Sequence, residues 1–192
     1  GGEAAREDLA VLALPTDPTP TNAEPFLSRR LANGNRDPAT RIRVASILLQ
    51  RGDTAPALVH AEAALAINPA HPAAARLVAR INAAQGQAGR AIEVLKAARA
   101  NAPEATSLTR LLGRLVLDHG VDHPWALSLL QEASRQEPGD RDGEFDLTRA
   151  LYANGRLKEA LSRLASPPTD SSVWSRTAEQ EAFSLWTRSA EE

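Results

Sequence analysis

The chain repeats itself at a fixed interval. Gly52, Ala57, Ala64 and Pro69 return as Gly86, Ala91, Ala98 and Pro103, each displaced by 34 residues, and Pro38 returns as Pro72. A constant period of this length is the mark of like units stacked in a row, each burying its apolar side on its neighbours, and not of one closed globular core. Two more copies follow with small slips. Gly120, Ala126, Ala133 and Pro138 carry the third, with one extra residue between the glycine and the first alanine. Gly155 and Ala160 carry the fourth, where Pro167 stands in place of the second alanine and must stop that helix early.

Each recurring residue type has a physical task. The glycine ends one helix, where a left-handed backbone costs it little. The two alanines lie seven residues apart, on one face of the next helix, and are small enough for two helices to approach closely. The proline closes the unit, because a helix does not easily run through it. Each unit is therefore expected to be a helix, a tight turn, a second helix and a turn.

This pattern resembles the tetratricopeptide repeat, most clearly in Gly52–Pro69 (GDTAPALVHAEAALAINP) and Asn154–Leu161 (NGRLKEAL), and the likeness spans roughly 38–165. The resemblance implies an all-α fold, a right-handed superhelical solenoid of antiparallel helix pairs whose first helices line a concave inner wall. It departs from the family in those first helices. Where the family prefers a large aromatic residue near each repeat start, the chain has Arg41, Ala75, Thr109 and Glu144; at the second aromatic position it has Leu48, Asn82, Val116 and Leu151. The competing resemblance is the 35-residue RNA-binding helical repeat. Two consecutive 34-residue spacings and a net charge of -2 argue against it, since a phosphate backbone calls for a basic surface.

The expected organisation follows. Residues 1–37 hold a short helix over 3–14, a stiff linker over 15–20 (PTDPTP) and a second helix over 23–33, and form a candidate degenerate repeat. Four repeats follow at 38–71, 72–105, 106–140 and 141–165. Residues 166–192 hold a capping helix, whose Trp174, Ala178, Leu185 and Trp186 would cover the open end of the stack. With 43% hydrophobic but only 4% aromatic residues, the chain suits thin, closely packed helices. No apolar run approaches membrane-spanning length, and Gly1-Gly2-Glu3 does not read as a signal peptide. The chain has no methionine, even at position 1, which suggests a processed protein or part of a longer one. It has no cysteine either, hence no disulfide and no thiol nucleophile. The joint absence of these oxidisable side chains leans toward an extracytoplasmic setting, such as a periplasm or the exterior. Arginine outnumbers lysine 20 to 2, a bias that reads as GC-rich bacterial coding.

The candidate site is a ladder of arginines. Residues four apart share a helix stripe. The second repeat places Arg76 and Arg80 on this stripe of its first helix, the third places Arg110 and Arg114 at the same positions, and the fourth keeps Arg149, with Phe145 in place of the other. The equivalent positions of the first repeat are Ile42 and Ser46. Arginine presents a planar fork that pairs bidentately with carboxylates, so the ladder suits an extended acidic segment of a protein or peptide partner. The opposing reading is self-neutralisation, with Asp118 serving Arg114, Asp146 serving Arg149, and Asp142 or Asp146 facing Arg110. Exposed pairs of that kind contribute only about 0–1 kcal/mol. Arg76 and Arg80 have no acidic residue on their own helix and are the stronger candidates.

Other constellations carry less. His119 and His123 have metal-site spacing, but Gly120 interrupts the helix between them, so no metal site is expected. No Gly-rich phosphate loop and no nucleophile elbow occur, and no cofactor is expected. Trp125, after Pro124, reads as a helix-start residue that packs. The expectation is a non-catalytic scaffold that binds another protein, without nucleic acid or a membrane span. The alternative is an accessory module of a larger bacterial assembly, an enzyme or a secretion or exopolysaccharide machine, with its chemistry in another segment. Homo-oligomerisation through the degenerate ends is a third reading.

Overall fold

The computed structural model describes residues 27–34 and 36–164. The helix expected over 3–14, the proline-rich linker, the start of the helix expected over 23–33, Pro167 and the capping helix lie outside the described residues. Among those described, all regular structure is helical: a stretch over 27–32, then α1 (Pro38–Gln50), α2 (Thr54–Ile67), α3 (Pro72–Ala84), α4 (Ala88–Asn101), α5 (Thr106–Asp118), α6 (His123–Gln136), α7 (Arg141–Ala153) and α8 (Leu157–Leu164). The chain divides into two compact units, with the boundary between Ile81 and Asn82, inside α3.

In the first unit, α1 begins where Asp37 accepts hydrogen bonds from the backbone N–H groups of Ala39 and Thr40, both at 3.1 Å, with Pro38 at the first helical position. Such a cap satisfies donors that the helix itself cannot, and Pro38 gives up none that was needed. The short link 51–53 then folds α2 back onto α1. The helices close on a core of Val44, Ile47 and Leu48 from α1 and Ala57, Ala61 and Ala64 from α2.

The second unit repeats the plan. α5 packs on α4, α6 and α7, and α7 packs on α6 and α8. Leu95, Leu108, Leu112, Leu130, Leu147 and Leu151 are its largest fully buried aliphatic side chains. Each contributes roughly 1.5–3 kcal/mol by leaving water.

The periodic residues do what their chemistry suggests. The turn glycines Gly52, Gly86, Gly120 and Gly155 have φ of 88°, 75°, 60° and 71°, a left-handed conformation that strains any side chain with a Cβ. Ala57, Ala64, Ala91, Ala98, Ala126, Ala133 and Ala160 are all buried, none more than 3% exposed. A further small-residue position, not singled out from the sequence, recurs in the first helices as Ala45, Ala79 and Gly113, all buried. Its reason is visible at Gly113, where an added Cβ would stand 2.8 Å from Leu130 Cγ and 3.2 Å from Leu129 Cβ. α5 and α6 approach too closely there for a methyl group without adjustment.

Two of the positions that lack the expected aromatic residue, Thr109 and Glu144, carry polar links to neighbouring helices. Arg99 of α4 donates from Nε to Thr109 Oγ1 of α5 at 3.0 Å, and from Nη2 to both carboxylate oxygens of Glu132 on α6, at 2.7 and 2.8 Å. One repeat later, Ser134 donates to Glu144 at 2.5 Å, and Glu144 also pairs with Arg163 of α8. Thr109 and Glu144 stand at equivalent repeat positions, as do Arg99 and Ser134, so the same link between consecutive units is built twice from different residues.

Candidate functional site

The candidate arginines fall in different units, and their surroundings differ. In the first unit, Arg76 and Arg80 sit one turn apart on α3 and are both exposed, while the intervening Leu77, Val78 and Ala79 are buried. Among the described residues neither arginine makes a hydrogen bond or ion pair. The helix is positioned by its apolar side, with Ala74, Ala75, Val78 and Ile81 buried, and this leaves the two guanidinium groups directed at solvent.

The second unit treats its arginines otherwise. Arg110, on α5, is paired with Asp140 at the N-terminus of α7. Arg149, on α7, donates to Asp118 at 2.8 Å, lies 3.9 Å from Asp146, and sits over the Phe145 ring with 6.0 Å to its centroid. Arg114 is exposed and makes no hydrogen bond or ion pair among the described residues. Two of the anticipated pairings are therefore redistributed. Asp118 reaches across to Arg149 instead of serving Arg114 on its own helix, and Arg110 takes Asp140 instead of Asp142 or Asp146. The physical reason is that neighbouring first helices stand side by side, so a partner on the next helix is as near as one a turn away.

Asp146 is the unusual member of this group. Its equivalents in the second and third repeats are Leu77 and Leu111, while the first repeat has Arg43. It is only 3% exposed, and its Oδ2 is buried without a hydrogen-bond partner among the described residues. Burial pushes its acid up to about pKa 6, against the opposing attraction of Arg114, Arg149 and Arg110. Taken together, Arg110, Arg114 and Arg149 face Asp118, Asp140 and Asp146, so this part of the unit is close to neutral when all six are ionised.

The remaining candidates are quickly placed. An open groove of about 360 Å³ is lined by Lys96, Arg99, Ala100, Pro103, Leu112 and Trp125. Trp125 forms part of its wall, with its backbone N–H donating to the Asp122 cap at 2.8 Å. Arg99 and Lys96 on its rim are engaged by Glu132 and Glu93. Sequence reasoning did not single out this groove, because it forms from α4, α5, α6 and the link between repeats, and no local motif marks it. His119 and His123 are exposed, and no three metal-ligating side chains come together among the described residues. No helix among the described residues is long and apolar enough to cross a membrane.

Comparison with known proteins agrees with this architecture. No curated protein sequence matches the chain. Among solved structures, MamA (residues 41 to end) from Desulfovibrio magneticus RS-1 superposes with a TM-score of 0.70 at 21% identity, over 86% of this chain and 93% of that one. TTC0263, a thermophilic TPR protein of Thermus thermophilus, gives 0.65 at 22% identity, over 86% and 89%. YrrB, described as a TPR protein with an unusual peptide-binding site, gives 0.62 at 22% identity, over 72% and 71%. At these identities the likeness is one of fold. The tetratricopeptide repeat family model itself matches residues 22–115 and 122–171. With the 34-residue register, the turn glycines and the buried alanines in place, the chain belongs to the tetratricopeptide repeat family.

Proposed function

We propose that the chain is a non-catalytic interaction module that holds an acidic segment of a protein partner on the exposed side of its first helices. The observation that carries this reading is the pair Arg76 and Arg80. They are exposed, one turn apart and without an ion pair among the described residues, in a chain whose net charge is -2. A protein that kept these arginines for internal pairing would place acids beside them, as it does for Arg110 and Arg149. Arg114, also exposed, offers a further contact within the second unit, while Arg110 and Arg149 contribute positive charge that their carboxylates partly cancel. The repeat fold supports the reading, and a structural relative is described as binding peptide.

The test uses a fluorescently labelled glutamate-rich peptide and its glutamine-rich counterpart. The acidic peptide binds, the neutral one does not, and affinity falls with added salt because exposed charges are screened within about 8 Å at physiological ionic strength. Changing Arg76 and Arg80 together to alanine removes most of the binding. Each charge-assisted contact contributes roughly 1.5–3 kcal/mol when partly desolvated. Unchanged affinity in a double variant that retains its helical circular dichroism would place the binding surface elsewhere.

A further inference from the structure

Trp125 stands apart from its repeat equivalents. At its position the other second helices carry Pro56, Arg90 and Glu159, all exposed. The fold therefore does not require an aromatic ring there, in a chain with only 4% aromatic residues. Its placement is nonetheless fixed. Asp122 caps α6 by accepting from the Trp125 backbone N–H at 2.8 Å, and Pro124 presets the first turn. The ring is thereby set in the wall of the open groove of about 360 Å³, together with Ala100 of α4, Pro103 of the following link and Leu112 of α5. This is near the lower end of ligand-pocket sizes, about 300–1,000 Å³, and suits a short run of chain better than a folded surface.

The polar side chains that line the groove are donors only. Lys96 and Arg99 carry no acceptor, and neither does the indole of Trp125. Arg99 spends Nε on Thr109 and Nη2 on Glu132, while its Nη1 makes no hydrogen bond among the described residues. The Trp125 indole N–H makes none there either. The links to Thr109 and Glu132 hold Arg99 in one orientation, so a ligand meets a donor that is already ordered. Net charge does not favour an anion, because Glu93 matches Lys96 and Glu132 matches Arg99. The complement of this groove is an apolar body with neutral acceptors. An ordinary peptide brings an N–H with every carbonyl, and no side chain lining the groove can accept it. Proline brings the carbonyl without the N–H, together with an apolar ring that packs on tryptophan. A proline-rich segment is also extended before it binds, so little ordering remains to be done.

We propose that the groove walled by Trp125 and Pro103 binds a proline-rich, extended segment of a partner protein. Its rings pack on the indole, and its carbonyls accept from the unused donors. The site is separate from the arginine ladder, none of whose members lines the groove.

The probe is a fluorescein-labelled oligoproline peptide, with an alternating alanine–glycine peptide and a glutamate-rich peptide of equal length for comparison. In anisotropy titrations the full chain should bind oligoproline at least about tenfold more tightly than alanine–glycine, with little dependence on salt. Trp125→Ala should weaken oligoproline binding at least about tenfold, and the double change Arg76→Ala and Arg80→Ala should leave it unaltered. A second measurement needs no variant that could misfold in the titration. The unaltered chain, labelled with nitrogen-15, gives indole N–H signals from its three tryptophans, and the one missing from Trp125→Phe belongs to Trp125. Oligoproline should shift this signal before the others. Equal affinity for oligoproline and alanine–glycine, no oligoproline binding by chains with intact circular dichroism, or a Trp125 signal that does not move overturns the proposal. A glutamate-rich peptide that shifts the Trp125 signal in place of oligoproline overturns it and assigns the groove to an acidic partner. A signal that moves on raising the protein concentration alone also overturns it, and assigns the groove to a second copy of the chain.

Discussion

Replacing Asp146 by asparagine should stabilise the protein at neutral pH and lose that advantage in acid. Asp146 is buried, its Oδ2 has no hydrogen-bond partner among the described residues, and its acid is raised from 3.8 to about 6, first by desolvation. Between those two values the folded chain holds a proton that the unfolded chain has released, so folding stability falls as pH rises through this window. The contribution is fully present below the unfolded value and is lost above the folded one. A difference of about two pH units corresponds to roughly 3 kcal/mol, an upper figure because the surroundings relax. Asparagine keeps the shape and does not titrate. Urea unfolding of both forms from pH 4 to pH 8, taken as a difference, cancels every other titrating group. The asparagine form should gain on the parent by about 1–3 kcal/mol across that range, with the gain levelling off above pH 6. A flat difference would mean that Asp146 keeps an ordinary acidity. A difference of opposite sign would mean that attraction from Arg114, Arg149 and Arg110 outweighs the cost of burial.

Three shorter predictions test the packing. Gly113→Val should cost about 1–3 kcal/mol in thermal unfolding, since even the first added carbon meets Leu130 at 2.8 Å; an unchanged melting temperature would show that α5 and α6 can part freely. Ala91→Leu, at a position with 0% exposure, should cost a similar amount, about 1–3 kcal/mol, and tolerance of leucine there would contradict the assigned helix contacts. Asp37→Ala should lose about 1 kcal/mol by removing the cap of α1, whereas Asp37→Asn or Asp37→Ser should retain most of it; equal losses in all three would argue against capping.

Much of this protein is legible without coordinates, and the reason is translational symmetry. A residue that ends a helix or lets two helices touch must do so again one unit later, so the 34-residue register identifies Gly52, Gly86, Gly120 and Gly155 as turns and the spaced alanines as contacts. It also brings out the arginine ladder as a pattern. What the arginines do is not periodic. Whether a guanidinium meets solvent or a carboxylate depends on the neighbouring helix, and only the tertiary structure sends Arg110 to Asp140 and Arg149 to Asp118 while leaving Arg76, Arg80 and Arg114 exposed. The same holds for Asp146, whose match to Leu77 and Leu111 of the preceding two repeats is countable in the sequence but whose burial, and hence raised acidity, comes from helices packed around it. Local propensity and periodic contact are short-range properties that sequence carries directly; desolvation and charge pairing belong to the volume between helices, and are decided only when that volume closes.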